Sequence, residues 1–411
     1  MSATAPVPAE GRQEVAVVRH PIADARHVVV GYELRFGGSI DLGDPSMDAK
    51  ATSALLLDAF GDIGLETLAG RHPAWVTIAR NFLVDIGPPP VRPDRAVLQI
   101  KAYQAQDDLL AILQQLARSG YTIALDEYEG QTGGAVEELM SLCSIVKVDI
   151  SRIDAAELPG VLRGPRMQGA LLVASEVGDH AAFDRCRELG FTYFQGEYFA
   201  QPRLFKARGV ATAGVGTLRR LNELSAGDLS FEDLERIISS DVGLSLKLLR
   251  YVNSAFFALP RTVNSVREAL AMLGVRTVRR WATVMAISSI PDAPDELVSL
   301  ALRRAHMCEI LAGSALPEER ETLFTIGLFS VADALLDAPM SEVLDSLPFS
   351  EEIQAALMRR EGPKGELLAA VTAYERGEFP TLSVPDSPAP SLAGAYRAAL
   401  EWADEAGRAI A

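Results

Sequence analysis

The sequence predicts two units of different class, an α/β modified (β/α)8 barrel followed by an all-α domain. Two observations carry this. Over the first half, short β-rich runs alternate with helical stretches. Near residues 202–216 the rhythm changes, and beyond it apolar residues recur with a period close to 3.6. No internal repeat interrupts either half.

In the first half, strands are expected at 14–19, 28–35, 75–78, 96–100, 122–126, 145–148, 171–174 and 193–195. Helical patterns separate most of them, such as 107–119 and 180–189. The 107–119 helix sets Leu109, Ile112, Leu113 and Leu116 on one face, and Gly120 stops it. Eight strands with intervening helices fit a barrel. The first two strands are joined only by Asp24-Ala-Arg-His27, too short for a crossover helix, so they are expected to form an antiparallel hairpin.

In the second half, Ser230 precedes 231–238 with Asp233 three residues on, an N-cap with an acidic first turn. Leu244, Leu248, Tyr251 and Val252 line one face of the next helix. Further helices are expected near 265–273, 276–289, 295–313, 319–336, 350–360, 364–377 and 391–408. Gly209–Gly216 reads as the domain linker, and 382–390 as a proline-rich connector. The domain expectation is a disordered leader at 1–12, the barrel at 13–205 and the helical domain at 206–411.

The net charge of −16 is shared by two acidic halves, which disfavours general binding to nucleic acid or anionic membrane. No apolar run approaches the ~20 residues of a bilayer span. The N-terminus lacks the basic and apolar regions of a secretory signal. Cys143, Cys186 and Cys308 are scattered without metal-type spacing and read as buried reduced thiols, so a cytoplasmic location is expected.

Four short strings then stand out in order: Gly31-Tyr-Glu-Leu-Arg-Phe36, Ala124-Leu-Asp-Glu-Tyr128, Val146-Lys-Val-Asp149 and Tyr193-Phe-Gln-Gly196. Together they resemble the skeleton of an EAL domain, a family that hydrolyses cyclic di-GMP with two metal ions. The resemblance implies a barrel whose first two strands are antiparallel. It places Glu33 at the motif glutamate, a metal ligand, and Asp126 at the first of two paired aspartates, with Glu127 replacing the second. Lys147 matches a lysine at the catalytic water, Asp149 the acid two residues on, and Gln195 the last-strand glutamine. Those six are the candidate ligand-pocket residues.

Other matched positions depart from the family. Thr77 stands at an asparagine ligand, and Gln99 and Ala102 stand at two glutamates of strand four. Lys101 replaces a threonine there. Ser175 and Gly178 occupy two glutamates of strand seven. Glu176 is shifted by one and, if in strand, would face away. Gly37 stands where the family has a phosphate-gripping arginine, and Arg35 is nearby on the side of Glu33. Magnesium tolerates poor coordination badly. The expectation is therefore no catalytic residue, no metal and no cofactor, with Glu33, Asp126 and Lys147 left as a buried salt-bridge cluster.

Much of 203–380 resembles the HDOD domain, a helical relative of HD phosphohydrolases. Ile237-Ile-Ser-Ser-Asp-Val-Gly-Leu-Ser-Leu-Lys-Leu-Leu-Arg-Tyr-Val-Asn-Ser-Ala255, Ser265-Val-Arg-Glu-Ala-Leu-Ala-Met-Leu-Gly274, Arg304-Ala-His-Met-Cys-Glu309 and Phe324-Thr-Ile-Gly-Leu-Phe-Ser330 carry the match. Asn253 and Ser254 are its signature positions, read as a cap on the following turn. Ser330 and Val331 stand where a His-Asp dyad would be. His306 reads as structural. Gly130-Gln-Thr-Gly-Gly134 lacks the Lys-Ser/Thr ending of a P-loop and reads as a turn. Arg276, Arg279 and Arg280, with Arg303 and Arg304 beyond, read as a solvated face. The sharper reading of the first three is docking of an acidic partner.

The combined reading is a non-catalytic bacterial signalling or scaffold protein acting through protein partners. Two alternatives stay open: a sensor that binds cyclic di-GMP or another nucleotide without hydrolysis, and a weak metal-dependent phosphodiesterase. A homodimer also stays open.

Overall fold

The computed structural model describes residues 16–36, 56, 60, 64–202, 212–225, 229–254, 257, 259–290, 293–313, 319–378 and 391–410. The leader at 1–12, Gly37 and the connector at 382–390 lie outside them.

Eight strands close into one barrel in sequence order. They are β1 Val17–Asp24, β2 Val29–Phe36, β3 Ala74–Thr77, β4 Ala96–Lys101, β5 Thr122–Asp126, β6 Ile145–Asp149, β7 Leu171–Ser175 and β8 Tyr193–Phe194. Among the described residues seven helices accompany them: α1 Leu65–Ala69, α2 Arg80–Asp85, α3 Asp107–Arg118, α4 Gly134–Leu142, α5 Leu158–Val161, α6 Arg163–Met167 and α7 His180–Glu188. β1 and β2 form the expected antiparallel hairpin, and β1 also pairs antiparallel with β8 to close the ring. The remaining neighbours are parallel.

The first strand lies further along the chain than expected from the sequence. Pro21 sits inside it, opposite Tyr32 of β2. β1 meets β8 only at Ala23 and Asp24, so Pro21 has no second ladder to supply. The Asp24 carboxylate then closes the hairpin by accepting from the backbone N–H of Arg26 and Val28.

Inside the barrel, Ile22, Trp75, Val97, Ala124, Ile145 and Val173 form one apolar layer. Two residues on, side chains return to the same side. That alternation lifts Thr77, Gln99, Asp126, Lys147, Ser175 and Gln195 to the next level, at the C-terminal ends of the strands. Gly31 makes room below: a Cβ there would stand 2.3 Å from the Trp75 indole nitrogen.

Eleven helices follow among the described residues: α8 Thr212–Ser225, α9 Phe231–Ser239, α10 Val242–Val252, α11 Val266–Ile287, α12 Asp295–Ala312, α13 Arg320–Phe329, α14 Ala332–Leu336, α15 Met340–Asp345, α16 Glu351–Arg359, α17 Gly362–Glu375 and α18 Leu392–Ile410. Ser230 and Asp233 make a full capping box on α9. Gly274, at φ 82, breaks α11 between the two predicted segments.

Three further expectations need correction. Part of the linker expected at 209–216 is helix, because α8 starts at Thr212 and buries Leu218, Leu221 and Leu224. Glycine there lowers helix propensity, and burial outweighs it. The segment 319–336 is two helices, with Ser330 and Val331 at the break. Arg303 is not on a solvated face: it is 3% exposed, inside the contact between the helices and the barrel.

That contact is polar and buried. Tyr32 of β2 donates its hydroxyl to Glu296 of α12 at 2.7 Å. The Arg19 guanidinium of β1 lies over the Tyr32 ring and pairs with Asp404 of α18 at 3.1 Å. The Arg19 backbone N–H donates to the Tyr396 hydroxyl. His20 bonds the carbonyl of Glu375 at 2.9 Å.

Candidate functional site

The mouth of the barrel encloses a cavity of about 360 Å³ lined by β-strand ends and the loops that follow. Glu33, Asp126, Glu127, Lys147 and Asp149 all line it. Gln195 reaches the same centre, donating from Nε2 to Glu33 at 2.9 Å. All six ligand-pocket candidates therefore lie at the barrel mouth.

Glu33 is the hub. It is 4% exposed and sits on β2. Its Oε1 accepts from the ammonium of Lys147 and from Gln99 Nε2 at 2.8 Å. Its Oε2 accepts from Gln195 and from Arg35 Nε at 3.0 Å. Burial opposes its ionisation. Lys147, Arg35 and these hydrogen bonds outweigh burial and hold its carboxyl well below the usual carboxylate range.

Asp126 shares Lys147 at 3.8 Å, a looser pairing. Burial pushes its pKa up despite the ammonium, and the Glu33 charge adds to the rise. Lys147 is buried too, yet Asp126 and Glu33 raise its pKa, so it stays charged. Gln99 also donates to Thr77 Oγ1 at 3.0 Å.

The outer ring repeats this matching. Lys101 Nζ pairs with Glu127 at 3.2 Å. Arg152 pairs with Asp149 at 3.1 Å. Arg35 Nη2 pairs with Glu176 at 2.9 Å. Each of the five carboxylates at the mouth thus has a cationic partner. Glu176 does not face away as strand alternation suggested. β7 ends at Ser175, and Glu176 turns back at φ 56; Glu127 does the same past β5 at φ 52. Ser175 donates to the Val148 carbonyl at 3.2 Å, within the barrel wall.

Gln99, Lys101, Arg152 and Glu176 complete the mouth but were not among the sequence candidates. The alternation in β4 from Val97 through Gln99 to Lys101 carried the signal for two of them. Among the described residues, no three His, Cys, Asp or Glu side chains converge as a metal-binding group.

In the helical unit, Asn253 ties a loop down. Its Nδ2 donates to the carbonyls of Leu249 and Val263, and its Oδ1 accepts from the Val263 N–H. Ser254 begins that loop, and its backbone N–H bonds the Tyr251 carbonyl. The basic stripe is mostly engaged internally. Arg279 pairs with Glu321 at 2.8 Å, and Arg280 grips both oxygens of Glu309 while lying 3.6 Å from the Phe324 ring centre. Arg276 is largely exposed. His306 stacks on Trp402 and bonds Glu309. Ser330 donates to the Gly327 carbonyl, and Val331 is buried.

The cysteines are free and buried, and burial pushes the thiols of Cys143 and Cys308 up to about 12. Among the described residues no helix is long and apolar enough to cross a membrane.

Comparison with known proteins agrees with this architecture. The HDOD domain family matches residues 216–337. The cyclic di-GMP phosphodiesterase CdgJ of Vibrio cholerae is 32% identical over 370 residues, covering 88% of this chain and 85% of that protein. YuxH of Bacillus subtilis is 26% identical, covering 90% of this chain and 92% of that protein. The Bacillus subtilis YkuI protein, with an EAL domain, solved with cyclic di-GMP and calcium, superimposes with a TM-score of 0.37 at 17% identity, over 63% of this chain and 72% of that one. The chain belongs to the family of EAL–HDOD two-domain proteins.

Proposed function

We propose that this chain is a non-catalytic signalling protein in cyclic di-GMP-linked regulation, with an EAL-like barrel that no longer hydrolyses the nucleotide. One observation carries the reading: the carboxylates of the barrel mouth are matched to the chain's own cations. Lys147 lies on Glu33, and Lys101 lies on Glu127. Two-metal hydrolysis needs carboxylate oxygens that share two cations ~3.5–4 Å apart. A divalent ion at Glu33 would have to displace a buried ammonium. The residues present do not fit a pair of divalent ions.

The helical domain supplies the output. Val242 and Leu246 stand exposed one turn apart on α10, at 73% and 63%. An exposed apolar pair on one helix suits docking of a protein partner. The residues proposed to shape the barrel mouth are Glu33, Asp126, Glu127, Lys147, Asp149 and Gln195.

The second reading, turnover of the dinucleotide, is favoured by the name of the Vibrio cholerae relative. Retained Glu33, Asp126 and Lys147 equally suit a non-hydrolysing sensor. Calorimetric titration of the full chain with cyclic di-GMP, with and without magnesium, separates the three when nucleotide integrity is followed by chromatography. Intact nucleotide is expected throughout. Magnesium-dependent breakdown that disappears in Asp126→Ala would overturn the proposal, and saturable binding without breakdown would make the barrel a sensor.

A further inference from the structure

A second cavity, about 660 Å³, lies between the barrel and the helices. Its size is that of small-molecule sites. It adjoins the barrel mouth, since the Arg35–Glu176 pair lines both. We propose that this cavity binds a small organic phosphate that also carries hydroxyl donors, and that the ligand bridges the two units.

The arginines on its helical wall are incompletely used. Arg360 follows α16, and its Nη1 donates to the carbonyls of Ala356 and Leu357. No ion pair or further hydrogen bond engages it among the described residues. Arg304 gives Nε to Glu375 and Nη1 to the Ser330 hydroxyl, leaving Nη2 without a bond among the described residues. Arg303 is 3% exposed and lines the same cavity. Its Nε and Nη1 have carboxylates no nearer than 3.5 Å and hydrogen-bond nothing. Three guanidinium groups thus converge on one space with donors to offer.

Asp333 stands on the same wall, and among the described residues its carboxylate accepts from backbone N–H groups, that of Ala334 and its own, and from no side chain. Burial raises its pKa, and burial with the Arg304 charge lowers that of Arg360. A phosphate beside the arginines would relieve the second shift. Guanidinium forks suit phosphate oxygens, which accept several parallel N–H bonds. A carboxylate with lone pairs still open suits the hydroxyls of the same molecule. Inorganic phosphate offers Asp333 only its own P–OH, too short to span from the arginines to further hydroxyl acceptors, so the chemistry points to a phosphate ester of a polyol.

The test is calorimetric titration of the full chain with ribose 5-phosphate and, separately, inorganic phosphate. Saturable binding of ribose 5-phosphate is expected, with inorganic phosphate at least tenfold weaker. Arg360→Gln should weaken both by tenfold or more, while Asp333→Asn should weaken only the ester. Thr372 also lines the cavity, and Thr372→Trp fills it without changing charge. It should abolish binding while leaving the unfolding midpoint near that of the parent. No heat with either probe overturns the proposal, as does parent-like binding in both Arg360→Gln and Thr372→Trp. Equal affinity for the two probes overturns the assignment of a polyol ester. Cyclic di-GMP binding at the barrel mouth is read in a separate titration, so the two readings fail independently.

Discussion

Tyr32 and Glu296 are 264 positions apart, yet the phenol of one donates to the carboxylate of the other at 2.7 Å across the contact between barrel and helices. Burial and the Glu296 charge raise the Tyr32 pKa above its ordinary value, so the phenol remains a donor. Glu296 is 6% exposed, and among the described residues its other oxygen has only Arg303, at 3.5 Å. Tyr32→Phe keeps the ring under Arg19 and removes one charge-assisted bond. The expected loss is ~1.5–3 kcal/mol. Urea unfolding would show it as a lower midpoint, and an unchanged midpoint would mean that the bond does not hold the units together.

Lys147 is the keystone of the barrel mouth. Lys147→Met leaves Glu33 buried beside Arg35 alone, and breaking a buried pair from one side costs ~3–5 kcal/mol. The double change Glu33→Gln with Lys147→Met removes both charges and should recover most of that loss. The double-mutant cycle is read by chemical denaturation. A single variant no less stable than the double would contradict the pairing.

His20 gives a pH dependence with a defined sign. Burial, and then the Arg35 charge, lower its pKa from 6.5 to about 4; Glu33, Glu176 and the bonded Glu375 carbonyl act the other way. The folded protein binds fewer protons at this site than the unfolded chain between those values. Stability is therefore full above about pH 6.5 and falls as pH drops toward 4, by up to ~3 kcal/mol. His20→Gln keeps a donor for the Glu375 carbonyl and removes the titration. The slope of unfolding midpoint against pH across that window should flatten in the variant, and an unaltered slope would assign it elsewhere.

The strands were legible because each is a short apolar run with a defined neighbour, and the motif strings marked where they end. Lys147, Asp126 and Glu33 could be placed together for the same reason. Lys101 and Glu176 were harder. Their role depends on the backbone just past a strand end, where a positive φ at Glu127 and Glu176 turns a side chain back over the mouth. Strand periodicity says nothing about that turn. Arg303 misled for a related reason. A helical wheel reports which face a residue shares, not that Glu296 of the same helix, Glu375 of α17 and Tyr396 of α18 close over it.

Gly327 marks a close approach of two helices. It lies on α13 against α12, the helix that carries Arg303 and Arg304. A Cβ at Gly327 would stand 2.4 Å from the Arg304 carbonyl oxygen and 2.6 Å from the Ala305 Cα. Both are backbone atoms, so no rotamer change can relieve the clash, and α12 and α13 must move apart. Overpacking of this kind costs ~1–3 kcal/mol, with the upper end expected where backbone meets backbone. Gly327→Ala should lower the urea midpoint accordingly. It should also displace Arg304 from Ser330 and Glu375, weakening ribose 5-phosphate at the interdomain cavity even where the fold survives. A Gly327→Ala protein with parental stability and parental ligand affinity would show that the helices have slack at this crossing, and that the arginine wall does not depend on their approach.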